Sequence, residues 1–473
     1  MENLTAIIES MDAWVWQPML MPLILLIVGG WLTARTGLVQ LRHFPTAVRF
    51  SLRGAFGKKD PAGGTITPFQ ALSTALAATV GNGNIGGVAT AILIGGPGAI
   101  FWMWMCATVG MATKFAEAVL GVHFRVRRES GDLASGPMYY IEHSLPNARA
   151  GKALAMAFAF FGTCAALLGT GNMAQSNTVA RTFVSAFDVI FGVQLPLWVP
   201  GIGITAAVGM VLLGGIRRIA HTAERIVPVM ILVYIFCAVL YILLNISSIP
   251  HVFALILSDA FTPSAAVGGF AGASVAKAIQ IGVSRGVLSN EAGLGSSPIA
   301  HGIASVKHPV EQGVVGVFEV FLDTIVVCSM TAFIILSSGL WTDPRFQGAS
   351  GDLTAAALGT SIPFAAAIVA MSSFLFGFST LIGWCYYGEK CFEYVFGSSR
   401  VKAYRVVFTA LIMVGSVVSV PLVWAVGTFL NGFMALPNLI GLAFLSGTVA
   451  KLTKDYFSGR MHYCVKASPK VAD

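Results

Sequence analysis

Residues 78–89 read ATVGNGNIGGVA. Gly81, Gly83 and Gly86 fit G-x-G-x-x-G, the spacing with which a strand-to-helix turn cradles a dinucleotide pyrophosphate. That chemistry needs a short strand before the glycines, a helix after them and an acid about 20 residues on. Here both flanks are apolar runs of helix length, and the later stretch is WMWMCAT, with no acid. A second chemistry fits better. Unwinding a helix inside a membrane frees N–H and C=O groups that protein or cargo must satisfy. Gly81, Gly83, Gly86 and Gly87 let the chain leave helical geometry and let cargo come close. Freed N–H groups at the start of the second half-helix suit a carboxylate. Freed C=O groups at the end of the first suit a cation. An α-amino acid with Na⁺ satisfies both ends. Close packing through small residues also accounts for glycines, but not for Asn82 and Asn84 among them.

Other chemistry-bearing residues lie inside apolar segments. Arg285, Glu291 and Asp323 are ionisable there and are functional candidates for that reason. Arg285 and Glu291 flank a second interruption, SRGVLSNEAGLGSSP, and would pair either as a gate or as a permanent brace. A carboxylate that titrates during transport would make H⁺ the coupling ion. Asn172 and Gln175 sit three apart and would share a helix face, Gln175 as a contact to cargo or both amides as links between helices. The eight histidines stand singly, and no H-E-x-x-H, G-x-S-x-G or Walker-type motif is present. The residues therefore point away from an enzyme and from ATP drive, and no organic cofactor is implied. A channel would want symmetric rings of like residues, which an asymmetric, internally repeated chain does not suggest.

The elements that position these residues follow from composition. Of 473 residues 56% are hydrophobic and 11% charged, against roughly 25% charged in an average soluble domain. Mean hydropathy is +0.78. Apolar runs of about 20 residues recur, the length that crosses a bilayer core. The reading is an all-α polytopic membrane protein with segments near 15–34, 68–95, 99–121, 153–187, 197–214, 225–246, 267–302, 313–339, 362–387, 405–421 and 423–449. All but Arg181, Lys277, Arg285 and Arg345 of the 29 Lys and Arg fall on every second loop or its helix ends. The net charge of +8 thus follows the positive-inside bias rather than nucleic-acid binding, with the N-terminus outside and the C-terminus cytoplasmic. The N-terminus lacks the basic start of a signal peptide. The seven cysteines form no C-x-x-C pair and read as reduced packing residues. With the first span set aside, 66–246 and 267–450 become two five-helix halves of opposite topology, each opening on a broken helix. A polar tail follows at 452–473. Paired broken helices in inverted halves mark a midplane binding site.

Here a family resemblance enters. GNGNIGGVATAILIGGPGAIFWMW, GMATKFAE, SGPMYYIE, GTGNMAQSNTVA, RGVLSNEAGLGSSPIAHG, TLIGWCYYGE and NGFMALPNLI resemble the alanine/glycine:cation symporter family from about residue 66 to 450. The resemblance implies a LeuT-type fold of ten core helices plus one extra in a plasma membrane, the bacterial inner membrane. It implies uptake of small neutral amino acids coupled to Na⁺, with H⁺ as the alternative ion. It also implies roles. The backbone N–H groups of Asn82 and Gly83 would hold the substrate carboxylate. The carbonyls of Ala77, Val80 and Phe376 and the hydroxyls of Ser379 and Thr380 would ligate Na⁺, oxygen ligands suiting a hard cation. The alternative for the two hydroxyls is bonding back onto their own helix. Asn84, the Thr79 carbonyl and Ser289 would form a second cation site. Gln175, Thr380 and Trp384 would line the substrate pocket, Trp384 as an apolar wall against large side chains. No motif specifies an oligomeric state.

Two positions depart from the family pattern. Asn82 stands where the family has Thr in G-T-G-N, and Leu288 stands where it has Phe before S-N-E-A-G. Both side chains are expected to line the pocket, Asn82 adding a hydrogen bond to cargo. A methylene in an apolar pocket is worth about 1–3 kcal/mol of discrimination, so Leu288 makes room for a somewhat larger or more polar amino acid.

Overall fold

The computed structural model describes residues 2–16, 19–56, 64–128, 132–261, 275–346, 350–459 and 470–471. The expected start of the second half at 267–274, Lys58, Lys59, Cys464 and most of the polar tail lie outside these residues. The six described cysteines are unbridged.

The described chain is almost wholly helical. Its main helices are α1 (Leu20–Arg35), α2 (Pro68–Thr79), α3 (Gly86–Gly95), α4 (Gly98–His123), α5 (Ala148–Leu168), α6 (Met173–Phe191), α7 (Trp198–Leu212), α8 (Gly215–Leu244), α9 (Val275–Asn290), α10 (Pro309–Ser338), α11 (Ala365–Phe396), α12 (Val401–Val417) and α13 (Val420–Phe457). Among the described residues seven helical stretches are long and apolar enough to cross a bilayer, eight when the bent pair α2/α3 counts as one. The other three expected segments are α7, α9 and α12, of 15, 16 and 17 residues, shorter than the roughly 20 residues of a full crossing.

Burial separates the middle of the bundle from its rim. In α4, 83% of the apolar window is buried inside the protein, against 33% in α8. Val229, Leu232, Phe236, Leu243 and Leu244 of α8 are exposed, an outward apolar face that suits lipid. Lys114, assigned by the loop reading to a cytoplasmic end, is fully buried within α4.

Local chemistry fixes both interruptions. At the first, Thr67 caps α2 in a reciprocal box with Gln70, and Pro68 opens the helix where its missing N–H is harmless. Val80 and Gly81 are extended, a single 3₁₀ turn spans Asn82–Asn84, and α3 leaves at 55° to α2. Asn84 Oδ1 accepts the Gly81 N–H at 2.8 Å and so closes the turn. At the second, α9 ends at Asn290 and the chain passes through left-handed backbone at Glu291 (φ 58°), Gly293 (φ 95°) and Gly295 (φ 81°) before a helical turn at Pro298–His301.

Four local readings change. The segment expected at 153–187 is two helices parted by a non-helical turn at 169–172. Helices also form at Phe44–Phe56, Ile249–Phe261 and Ser350–Gly359, in stretches read as loops. Helix α13 runs on to Phe457, past the expected start of the tail. A small sheet sits at one end: β1 (Val126–Arg128) pairs antiparallel with β2 (Leu133–Ala134) and parallel with β3 (Lys470–Val471).

Candidate functional site

The two interruptions face one inner cavity. It is lined by Thr79, Gly81 and Gly83 from the first break, Leu288 and Glu291 from the second, Thr170 from the turn before α6, Gln175 from the start of α6, and Thr380 and Trp384 from α11. It holds about 20 Å³, room for a water but not for an amino acid. Arg285 and Trp424 line it as well, and both also line an outer cavity of about 490 Å³. The guanidinium of Arg285 lies over the Trp424 ring at 5.7 Å. Arg285 does not pair with Glu291. Glu291 accepts instead from Trp384 Nε1 at 2.7 Å and from the Ser296 hydroxyl.

The expected substrate residues gather here with one exception. The Asn82 N–H meets Gln175 Oε1 at 3.2 Å, so an amide oxygen of the protein occupies a donor read from sequence as a carboxylate ligand. Gln175 Nε2 donates to the Thr170 carbonyl at 3.1 Å. The Asn82 side chain is the exception. Its Nδ2 donates to Gln175 Oε1 at 3.1 Å and its Oδ1 accepts from Ser373 Oγ at 2.7 Å. It lines the outer cavity, and its amide is spent on neighbouring helices rather than on cargo. Leu288 is half-buried and faces the inner cavity as expected. Trp384 stacks so closely that a Cβ on Gly171 would lie 2.5 Å from its ring, and the Glu291 bond fixes the indole's other edge.

Asn172 and Gln175 do not share a face. Asn172 is in the non-helical turn (φ −129°, ψ −76°), so helical spacing does not apply. Its Nδ2 turns to the Phe408 carbonyl of α12 at 2.9 Å, while Gln175 reaches the first break.

The expected Na⁺ ligands meet where α11 crosses the end of α2. A Cβ on Gly383 would lie 3.2 Å from the Ala78 backbone nitrogen, and one on Gly81 would lie 2.6 Å from Thr380 Oγ1. Ala77, Val80, Phe376, Ser379 and Thr380 are all buried. Their hydroxyls differ. Ser379 Oγ bonds back to the Phe376 carbonyl at 2.9 Å, which joins two of the expected ligands to each other. Thr380 Oγ1 is buried without a hydrogen-bond partner among the described residues, and a buried lone hydroxyl is what a cation or a cargo amine would satisfy.

The second expected cation set divides. Asn84 Nδ2 and Ser289 Oγ both reach the carboxylate of Asp323, at 2.7 and 2.8 Å. Thr79 lines the inner cavity, and its hydroxyl bonds back to the Ala75 carbonyl at 3.1 Å.

Sequence reasoning missed two buried groups that hold the second break. Glu117 Oε1 accepts from the Gly293 and Gly295 N–H groups at 3.1 and 3.0 Å and from Asn438 Nδ2 at 2.6 Å. Glu319 Oε1 lies 3.1 Å from Lys114 Nζ and its Oε2 lies 2.7 Å from His301 Nε2. The rule that singled out Asp323, an ionisable residue within an apolar helix, would have found Lys114, Glu117 and Glu319 had it been applied to every span.

The sodium:alanine symporter family profile matches residues 1–468. The sodium/alanine symporter AgcS of Methanococcus maripaludis is 45% identical, covering 96% of this chain and 97% of its own. A probable sodium/glutamine symporter of Bacillus subtilis is 39% identical, covering 93% and 88%. In fold, the chain is similar to the crystal structure of a manganese transporter from Eremococcus coleocola, with a TM-score of 0.51 and 14% identity over 89% of this chain and 80% of that one. These matches are to transporters rather than enzymes, and the chain belongs to the sodium:alanine symporter family.

Proposed function

We propose that this protein imports small neutral amino acids, alanine, glycine or a close relative, coupled to Na⁺ by alternating access. The observation that carries the reading is the first break. Its Asn82 N–H is held by the amide oxygen of Gln175, a residue that lines the inner cavity, with a Thr380 hydroxyl that has no hydrogen-bond partner among the described residues and the Trp384 ring on the facing helix. Cargo carboxylate replaces the Gln175 oxygen at that N–H, and the cavity opens to admit it. The carbonyls of Ala77, Val80 and Phe376 with Ser379 and Thr380 take one Na⁺, and Gly83, Gln175, Leu288, Thr380 and Trp384 face the amino acid. The two halves, 66–246 and 267–450, form an inverted repeat of five helices each, after one extra N-terminal helix. Basic residues on alternate loops place the N-terminus outside a plasma membrane and the C-terminus in the cytoplasm.

The test is uptake of labelled alanine by proteoliposomes under an inward Na⁺ or an inward H⁺ gradient, competed by unlabelled amino acids. Na⁺-driven uptake blocked by small neutral amino acids is the expected result. Uptake driven only by H⁺, or none, would sink the Na⁺:alanine reading.

A larger or more polar cargo is the second reading, favoured by Leu288 in the cavity wall and by the relative named for glutamine. Leu288→Phe fills that space and is expected to shift preference toward alanine and glycine by about 1–3 kcal/mol, read as a change in competitor ranking. An unchanged ranking would remove Leu288 from the specificity wall.

Gly81→Ala tests the crossing of α2 and α11. The added methyl meets Thr380 Oγ1 at 2.6 Å, and overpacking of this kind costs about 1–3 kcal/mol. The expected result is weaker Na⁺ activation of uptake with normal folding. Normal activation would separate Thr380 from the ion.

A further inference from the structure

The small sheet is tied to both walls of the inner cavity. Arg125, just before β1, donates from Nη1 to the Gly302 and Ala304 carbonyls at 3.3 and 2.8 Å. Ser135, just after β2, donates to the Gly121 and Pro298 carbonyls at 2.8 and 3.1 Å, and a Cβ on Gly302 would overlap its hydroxyl. These anchors hold the segment that follows the second break. On the other side the Arg128 guanidinium pairs with the carboxylate of Glu393, which also takes Lys390 Nζ at 2.8 Å. Glu393 is buried near the end of α11. It lies roughly 20 Å from Thr380 along one continuous helix, at the usual helical rise per residue. The β1/β2 pair therefore bridges the second break and α11.

The third strand comes from the far end of the chain. β3 lies on the opposite side of β1 from β2, with Lys470 beside Arg127 and Val471 beside Arg128. It thus covers the edge of β1 that β2 leaves open, in register with the residue that grips Glu393. An uncovered strand edge is a row of unpaired N–H and C=O groups, and an added strand binds through that backbone. A ladder of two residues belongs to the low end of local stability. It is made and broken without unfolding the bundle, which is what a reversible control needs.

We propose that the strand Lys470–Val471 is a releasable strap on the transport cycle. Docked on β1, it stiffens the β1/β2 pair and holds Arg128 on Glu393, so the second break and α11 stay together and the inner cavity stays shut at this end. Released, it lets α11 and residues 298–304 part. The strap sets the balance between the closed and open forms of this end, not which amino acid is carried. This rests on the alternating-access reading above, in which the loop charges make this end the cytoplasmic one.

The experiment compares full-length wild type, a variant lacking residues 470–473, Val471→Pro, Arg128→Gln, and Arg128→Gln lacking residues 470–473. Amide hydrogen exchange is followed in the purified proteins, and labelled alanine uptake in proteoliposomes. The expected result of the deletion is exchange faster by about two- to tenfold at 126–128, 298–304 and 389–396, the equilibrium worth of one net backbone hydrogen bond, with α4 unchanged. Apparent affinity for external alanine falls by up to the same factor, because less of the protein waits open to the outside. Val471→Pro, which cannot donate to the ladder, reproduces the deletion. In the Arg128→Gln background the deletion leaves 298–304, 389–396 and alanine affinity as they were. Unchanged exchange at 126–128 overturns the proposal, since β1 is then not covered. So does faster exchange confined to 126–128 with unchanged alanine affinity, a rise that spreads through α4, or a full effect of the deletion without Arg128. A wild type that takes up no alanine strikes the parent reading instead, and exchange at 298–304 and 389–396, which needs no cargo, still decides the strap.

Discussion

Lys114→Met is expected to destabilise the folded protein by about 3–5 kcal/mol, the cost of leaving a buried charge without its partner. Lys114 and Glu319 are both fully buried and 3.1 Å apart. The lysine also donates to Ser297 Oγ at 2.9 Å, and Glu319 meets His301, whose other ring nitrogen is 2.6 Å from Gln312 Nε2. The cluster therefore joins α4, α10 and the helical turn after the second break. Methionine preserves much of the volume, so the loss is electrostatic rather than a cavity. The double variant Lys114→Met with Glu319→Gln removes both charges and is expected to recover most of the stability, because replacing a buried pair by neutral groups is often neutral. Thermal unfolding of the four proteins in detergent gives the coupling energy by a double-mutant cycle. Additive losses would mean that Lys114 and Glu319 do not act as a pair.

The parts of this architecture that hydropathy and glycine spacing control were legible before any coordinates. Helix-length apolar runs predicted the bundle, and Gly81-Asn82-Gly83-Asn84 predicted a break, because a turn of this kind is written in consecutive residues. Partner choice was less legible. The same amide type does opposite jobs at Asn82 and Asn84, one bracing Gln175 and Ser373, the other reaching Asp323, and no local pattern separates them. Asn172 was misread because spacing of three has meaning only inside a helix, and the turn at 169–172 cancels it. Its G-T-G-N spelling echoes the first break and was the available signal. Lys114 was misassigned because loop counting treats any lysine near a span end as solvated. Arg285 and Glu291 looked like a pair from opposite charge alone, whereas packing gave the guanidinium an indole face and the carboxylate an indole N–H.

Glu117→Ala is expected to abolish uptake and to lower the melting temperature strongly, whereas Glu117→Gln keeps the fold. The reason lies in how the second break satisfies its backbone. Left-handed geometry at Glu291, Gly293 and Gly295 turns N–H groups inward, where no helix carbonyl can accept them. One carboxylate oxygen takes Gly293, Gly295 and the Asn438 amide together, and Asn438 Nδ2 adds the Gly293 carbonyl at 2.9 Å. Hydrogen bonds to a charged group are worth about 1.5–3 kcal/mol each, and alanine removes three at once while leaving the Gly293 and Gly295 N–H groups orphaned. Glutamine keeps an acceptor at the Oε1 position. Its new NH₂ takes the place of Oε2, which is buried with no hydrogen-bond partner among the described residues, so it displaces no bond seen there. The pair of variants separates acceptor from charge. If Glu117→Gln melts as wild type and still transports, the oxygen at the break is what matters. If it melts as wild type but uptake fails, the negative charge beside Lys114 takes part in the transport cycle. An alanine variant with wild-type melting and uptake would show that the break stands without this cap.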